Sequence, residues 1–246
     1  MVAREGPDLE VLRAGTGGFR LICVPFAGGS TRSFARLARK CDPDWTVIGV
    51  QPPEHPPRPI RPGGGIDALA RCYLDLLDGE LRGPGLLFGH SLGAAVVHAM
   101  ARQRGADWPD GLHLVLSAPP EPGRSSDDLL CLDDRRLFAE AGRRGMLLEL
   151  EISEKFAVSY IVPVLRRDLT FVAAAGWRPG PVTAPVHLLG GTADRVSPPA
   201  LLRRLEPLVG ARSSRLLEGG HMFAVDHPAR TADALADIAQ RLLPVT

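Results

Sequence analysis

The segment Phe88-Gly89-His90-Ser91-Leu92-Gly93-Ala94 restricts what this chain can fold into more than any other. Before it, Leu86 to Phe88 reads as a buried strand opened by Gly85; after it, Ala94 to Arg104 suits a helix. A backbone that leaves a strand and enters a helix within about one residue brings the two elements into contact. The positions two before and two after the turn must then be small, and here they are Gly89 and Gly93. Ser91 on such a turn sits in a strained conformation costing about 1–3 kcal/mol, which survives only where the surrounding fold enforces it. In return its hydroxyl stands above the sheet, and the Leu92 N–H faces whatever the serine meets.

G-x-S-x-G is the nucleophile-elbow pattern, and its structural context decides whether a match carries meaning. Strand and helix signals alternate along the chain. Leu9 to Arg13, Phe19 to Phe26, Trp45 to Val50, Leu112 to Ala118, Pro185 to Gly190 and Ser213 to Leu217 read as strands. Helical periods cover Ser33 to Lys40, Ile66 to Leu81, Pro198 to Leu208 and His227 to Leu243, while Gln51 to Gly65, with six prolines and three consecutive glycines, reads as loop. Such alternation predicts an α/β fold with a mainly parallel, doubly wound sheet. A chain of 246 residues accommodates this as a single domain over 1–246, burying enough surface to need no staples.

The rhythm breaks once. Residues 119–181 carry no strand signal but several helical ones: Asp133 to Arg143, Gly145 to Glu151, and Ser153 to Trp177 with a break expected at Pro163. They read as a helical cap, or lid, inserted between sheet strands and lying over their carboxyl ends, with Gly142, Gly145 and Gly176 as joints of a gate.

Open α/β sheets bind ligands at the carboxyl ends of their strands. Four features fall there: the Ala27-Gly28-Gly29 loop, Ser91, Asp194 and His221. The order Ser, Asp, His is that of α/β-hydrolases. A serine hydroxyl needs a base as it attacks, and an imidazole, ordinarily titrating near about 6.5, suits that role. His221 is the candidate; His90, His98 and His227 fall on the elbow, inside a helix or at a helix start. Asp194 would orient the imidazole, with Glu121 its main rival and Asp168 and Asp226 at poorer positions. The oxyanion needs fixed donors, and the backbone N–H groups of Leu92 and Ala27 fit, with Phe26 N–H as the alternative to Ala27.

Composition excludes other classes. A net charge of +1 favours neither nucleic acid nor an anionic membrane, and no run of 18 apolar residues occurs. The four cysteines show no metal-ligand or pairing pattern, so a cytoplasmic protein with reduced thiols and no metal or cofactor is expected.

Three segments, Val24-Pro25-Phe26-Ala27-Gly28-Gly29-Ser30, the Ser91 elbow, and Gly219-Gly220-His221-Met222-Phe223, together resemble the type II thioesterases of polyketide and nonribosomal peptide synthases. Ile161-Val162-Pro163-Val164-Leu165-Arg166-Arg167-Asp168-Leu169 is similar to the family's proline-leucine-arginine-x-aspartate stretch. The resemblance covers about residues 19–243. It implies an α/β-hydrolase that removes acyl groups from the phosphopantetheine arm of acyl or peptidyl carrier proteins. It further implies Ser91 as nucleophile, Asp194 as acid, His221 as base, and Phe26 and Gly28 beside the substrate, with a monomer expected. Phe26 stands where the family usually has histidine or tyrosine, Gln51-Pro52-Pro53-Glu54 where it has proline-glycine-arginine-glutamate, and Arg195 where proline is frequent. A carboxylesterase, a terminating or cyclising thioesterase, and a non-catalytic binding module on the same fold are the alternatives.

Overall fold

The computed structural model describes residues 9–52, 64–123, 125–147, 153–174 and 176–242, and its framework is a seven-stranded sheet. Continuous apolar runs form the centre. β4 (Gly85–His90), β5 (Leu112–Ser117) and β6 (Val186–Gly191) are buried at every position, as strands covered on both faces must be. β2 (Arg20–Val24) and β3 (Thr46–Val50) are buried beyond their first residues. The edge strands, β1 (Leu9–Arg13) and β7 (Ala211–Leu217), leave most of their side chains at least partly exposed. The spatial order is β1-β3-β2-β4-β5-β6-β7, with β1 antiparallel to β3 and every other pair parallel.

Successive strand residues point to opposite faces, so each face has its own core. α1 (Ala35–Ala38) and α10 (Pro228–Ala239) cover one, over Phe34, Phe88, Val115 and Leu189. α2 (Gly65–Leu77), α3 (Leu92–Arg104) and α8 (Pro199–Val209) cover the other, over Ile22, Leu87, Leu114 and Leu188.

Strand order reverses at β2. The chain steps from β2 to β3 on one side and then crosses to β4 on the other. Loops leaving β2 and β4 therefore diverge, and the crevice between them is where open α/β sheets bind ligands. Residues 25–30 leave β2 at that point, and Ser91 leaves β4.

Among its described residues, the connection from β5 to β6 has helices as its regular elements and no strand. It holds α4 (Asp127–Leu130), α5 (Asp134–Arg143), α6 (Glu154–Phe156) and α7 (Val162–Ala174), with a π-helical segment, Ala157–Ile161, joining the last two. α7 lies against α2 and buries Val162, Leu165 and Leu169 in the same core as α2 and α3.

The expected helices differ from the observed ones in several places. Pro163 does not break the helix. The amide of Val162 bonds to Ala157 five residues back, and this widened turn gives the proline ring the room that a regular α-turn denies it. α4, four residues long, is too short for periodicity to single out. Of the helix expected over Gly145 to Glu151, residues 145–147 form a turn and bend and 148–151 lie outside the described residues. Most of the Gln51 to Gly65 loop also lies outside them, and Gly65 itself opens α2, which ends at Leu77, short of Leu81.

Candidate active site

β4 passes into α3 through Ser91, whose φ of 53° and ψ of −116° are a conformation that residues with a Cβ avoid. The neighbours hold it there. Its N–H donates to Ser117 O at 2.8 Å, and its carbonyl accepts from Ala94 N–H at 3.0 Å. A Cβ at Gly89 would stand 2.2 Å from Gly93 O, and one at Gly93 would stand 2.3 Å from Val24 O. Neither fits. The two glycines let α3 lie directly on β4 and β2, which lifts the serine out of the sheet.

Two further strand ends bring partners to it. His221 Nε2 lies 2.9 Å from Ser91 Oγ, and His221 Nδ1 lies 2.8 Å from Asp194 Oδ2. A carboxylate only accepts, so Nδ1–H donates to Asp194 and Nε2 is left to accept the serine proton. Asp194 Oδ1 accepts the N–H groups of Val196 and Ser197, each at 2.8 Å. This fixes the carboxylate plane and turns Oδ2 toward the imidazole. The Ser197 hydroxyl donates to Pro119 O at 2.7 Å, tying the Asp194 loop to the exit of β5.

The rivals are occupied elsewhere. Glu121 pairs with Arg204 at 3.2 Å on the surface. Asp226 lies on α9 (Phe223–Asp226), and His227 precedes α10. His98, inside α3, donates to Gly180 O at 2.8 Å and accepts from Trp177 Nε1–H at 3.2 Å, so it holds the exit of the helical insertion.

His90 has a part that the sequence does not disclose. Its Nε2–H donates to His221 O at 2.9 Å, and its Nδ1 accepts from the Ser117 hydroxyl at 2.9 Å. Burial, reinforced by His221 beside it, pushes this imidazole well below its ordinary pKa. It is a neutral strut under the backbone of His221. Motif reasoning passes over it because it weighs histidines as bases and not as donors to one another.

The loop after β2 supplies backbone donors. Gly29 N–H closes a turn on Phe26 O at 2.9 Å, and Gly28 N–H donates to Asp168 Oδ2 at 2.9 Å. Among the described residues, the N–H groups of Ala27 and Leu92 have no acceptor. Val24 and Gly89 are register partners on β2 and β4, so both N–H groups follow neighbouring strand ends. Leu92 also opens α3, where the helix dipole favours negative charge. Phe26 is buried, its ring edge-on to Phe34 and His90. Gly28, expected beside the substrate, has its N–H taken by the insertion.

Between this loop and the insertion lies a small chamber. Pro25, Phe26, Pro52, Leu69, Tyr73, Leu92, Val96 and Asp168 line it, and it leaves about 10 Å³ to the centre of a water, room for about one molecule. Among the described residues no three His, Cys, Asp or Glu side chains are grouped to hold a metal, and the four cysteines are free thiols. None of the described helices is long and apolar enough to cross a membrane.

The thioesterase-domain family matches residues 19–239 of the chain. Thioesterase PikA5 of Streptomyces venezuelae is 30% identical over 228 residues, covering 89% of this chain and 80% of that protein. The chain spans only 9% of enterobactin synthase component F of Escherichia coli strain K12, with 35% identity over 114 residues and 45% of this chain. The solved structure of the type II thioesterase BorB from the borrelidin biosynthetic cluster is 27% identical and superposes with a TM-score of 0.79, covering 98% of this chain and 100% of that one.

Proposed function

Since the chain belongs to the thioesterase-domain family, we propose that it is a serine hydrolase that removes acyl groups from the phosphopantetheine arms of acyl or peptidyl carrier proteins, clearing synthases of stalled or misprimed chains. Ser91 Oγ attacks the thioester carbonyl carbon while His221 Nε2 takes its proton. The N–H groups of Ala27 and Leu92 hold the oxyanion, and Asp194 steadies the imidazolium. Collapse breaks the carbon–sulfur bond, and the proton on His221 passes to the departing sulfur. Water, deprotonated by the same imidazole, then attacks acyl-Ser91; the carbon–oxygen bond to Ser91 breaks, the proton on His221 returns to Ser91 Oγ, and the carboxylic acid leaves. Every step draws on protein groups alone, and the sulfur arrives on the partner's arm.

The observation that carries this reading is the hydrogen-bonded chain from Ser91 through His221 to Asp194, at 2.9 and 2.8 Å. The helical insertion serves as the lid. The arm enters between it and the Phe26 and Gln51 loops, and the acyl group lies beside Leu69, Tyr73 and Val96 once those side chains part and widen the chamber. Similarity to PikA5 and BorB, both named thioesterases, supports the substrate class, and four free thiols fit work in the cytoplasm; we take the working form to be a monomer. The match to a stretch of a protein named as a synthase component favours, as the second reading, a thioesterase that works as part of a synthase and terminates its chain there.

The test is hydrolysis of acyl carrier proteins by the wild type and by Ser91→Ala. Loss of about 10⁶ in kcat is expected if the three groups act as a unit, and near-normal hydrolysis by the variant would remove Ser91 from the mechanism. Turnover of acyl-pantetheine far above simple esters separates a thioesterase from a carboxylesterase. Hydrolysis of short misprimed acyl groups at least as fast as of a full-length chain separates editing from termination, and a cyclised product would mark a cyclising enzyme.

A further inference from the structure

α7 passes over the loop that follows β2, and it touches Gly28 twice. A Cβ built on Gly28, whose φ is 81°, would lie 3.5 Å from Leu165 Cβ. One turn further along, Asp168 Oδ2 accepts the Gly28 N–H at 2.9 Å. The carboxylate is only 4% exposed, and its other oxygen accepts from Arg167 Nε and Nη2 at 3.0 and 2.8 Å. Burial pushes the Asp168 carboxyl up, against the opposing pull of the Arg167 guanidinium and the Gly28 N–H.

A buried ion pair is a poor way to anchor a helix, because an apolar side chain of the same size does it as well or better. What a carboxylate offers is a directed acceptor. Ala27 lies between two peptide planes. In the first, Phe26 C=O is held by Gly29 N–H at 2.9 Å, so Ala27 N–H, on the opposite side of a planar trans peptide, points away from that turn. In the second plane Gly28 N–H is held by Asp168. Both planes around Ala27 are thus pinned, one from inside the loop and one from the insertion.

We propose that Asp168 is a positioning residue for the oxyanion hole. By holding Gly28 N–H it locks the peptide beside Ala27 and keeps Ala27 N–H aimed at the reacting carbonyl, but only while α7 is docked. The same side chain forms part of the chamber wall, so closure of the chamber and completion of the oxyanion hole are one event. This proposal rests on the catalytic reading above.

The test compares wild type with Asp168→Leu, Asp168→Ala and Asp168→Asn. Leu keeps the buried volume and cannot accept; Asn keeps an acceptor oxygen and gives up the charge. The readouts are kcat and KM on an acyl-pantetheine and the melting temperature. Affinities complete them, for a trifluoromethyl ketone that forms a tetrahedral adduct and for an unreactive thioether of the same acyl group. Losing one oxyanion donor typically costs about 10²–10³ in rate, so misaiming one by releasing its loop should cost about 10–100-fold. That loss is expected in kcat for Leu and Ala, with an equal loss of ketone affinity, unchanged thioether affinity, and Asn within a few-fold of wild type. Should Ala fail to fold, Leu at the wild-type melting temperature carries the test. Equal losses for ketone and thioether, unchanged ketone affinity, or an Asn variant as poor as Leu would each overturn the role of Asp168. A wild type inert toward thioester and ketone alike would overturn the catalytic reading with it, whereas an active wild type matched by Leu overturns this inference alone.

Discussion

The sheet end that carries Ser91 and the helical insertion above it are built on different principles. On the sheet side, backbone meets backbone: α3 touches β4 and β2 where no side chain fits, and Asp194 is held by two peptide N–H groups. The insertion is joined by side chains. Arg166 bonds to the carbonyls of Leu130 and Leu132 and to Asp134, and Arg144 pairs with Glu140 and Asp128. Contacts between backbones leave no alternative arrangement, whereas solvent-accessible ion pairs contribute about 0–1 kcal/mol each and can be remade. The reacting groups therefore sit on the part that cannot yield. The insertion, proposed above as the lid, is the part that can.

The sharpest way to break this contrast is to change chemistry on the sheet side without changing shape. Asp194→Asn should leave the fold intact, because Val196 and Ser197 can still donate to the amide oxygen. The opposite side of the amide then offers N–H to His221 and reverses the tautomer, which in the serine-protease triad removes about 10⁴ in kcat. Steady-state kinetics and a melting curve are enough. A loss confined to KM would show that Asp194 acts on binding and not on the imidazole.

Gly93→Ala tests the backbone contact itself. One methyl group placed 2.3 Å from Val24 O must push α3 off the sheet, and about 3 kcal/mol of destabilisation, the top of the usual range for overpacking, is expected from urea unfolding. A mild effect would mean that the elbow has slack, and the contrast with the insertion would lose its physical basis.

These two positions also mark what could be read from the sequence. The elbow was legible because its constraint is local: Gly89 and Gly93 flank Ser91 within five residues, and no distant element alters that requirement. Asp194 and His221 were legible because strand ends converge on one edge in any doubly wound sheet. Asp168 was not. It stands 140 residues from Gly28, and its partner depends on how α7 docks, which no local pattern specifies. Pro163 was misread for a related reason. A rule about proline in α-helices cannot foresee a π-turn that makes room for the ring.

The rigid side also has a weakness of its own, away from the catalytic end. His113 on β5 and His187 on β6 lie ring on ring, with Nδ1 of the first 3.0 Å from Nε2 of the second, and His187 Nδ1 lies 2.7 Å from Ser213 Oγ. Burial pushes both down to about 4, with Arg212 adding repulsion to each and Arg241 to His187. The unfolded chain takes up these protons near pH 6.5 and the folded one only near 4. Stability from the pair is therefore complete above about pH 6.5 and drains as pH falls toward 4. Urea titrations at pH 7 and 4.5 should show a steeper fall in wild type than in His113→Leu/His187→Leu. Parallel falls would mean that carboxylates alone set the acid limit.

The smallest expected effect sharpens the contrast most. Arg166→Ala removes the bonds to Leu130 O, Leu132 O and Asp134 at 2.8, 2.7 and 2.8 Å. These link α7 to the end of α4 and the start of α5. The side chain is partly exposed, so water replaces much of what is lost, and about 1 kcal/mol is expected. Where that loss appears matters more than its size. If the insertion opens as a unit of its own, amide exchange in α4, α5 and α7 should rise about five-fold while β4 and β5 stay protected. If exchange rises equally in β5, the insertion and the sheet form one cooperative unit, and a lid moving over a fixed triad is not available to this fold.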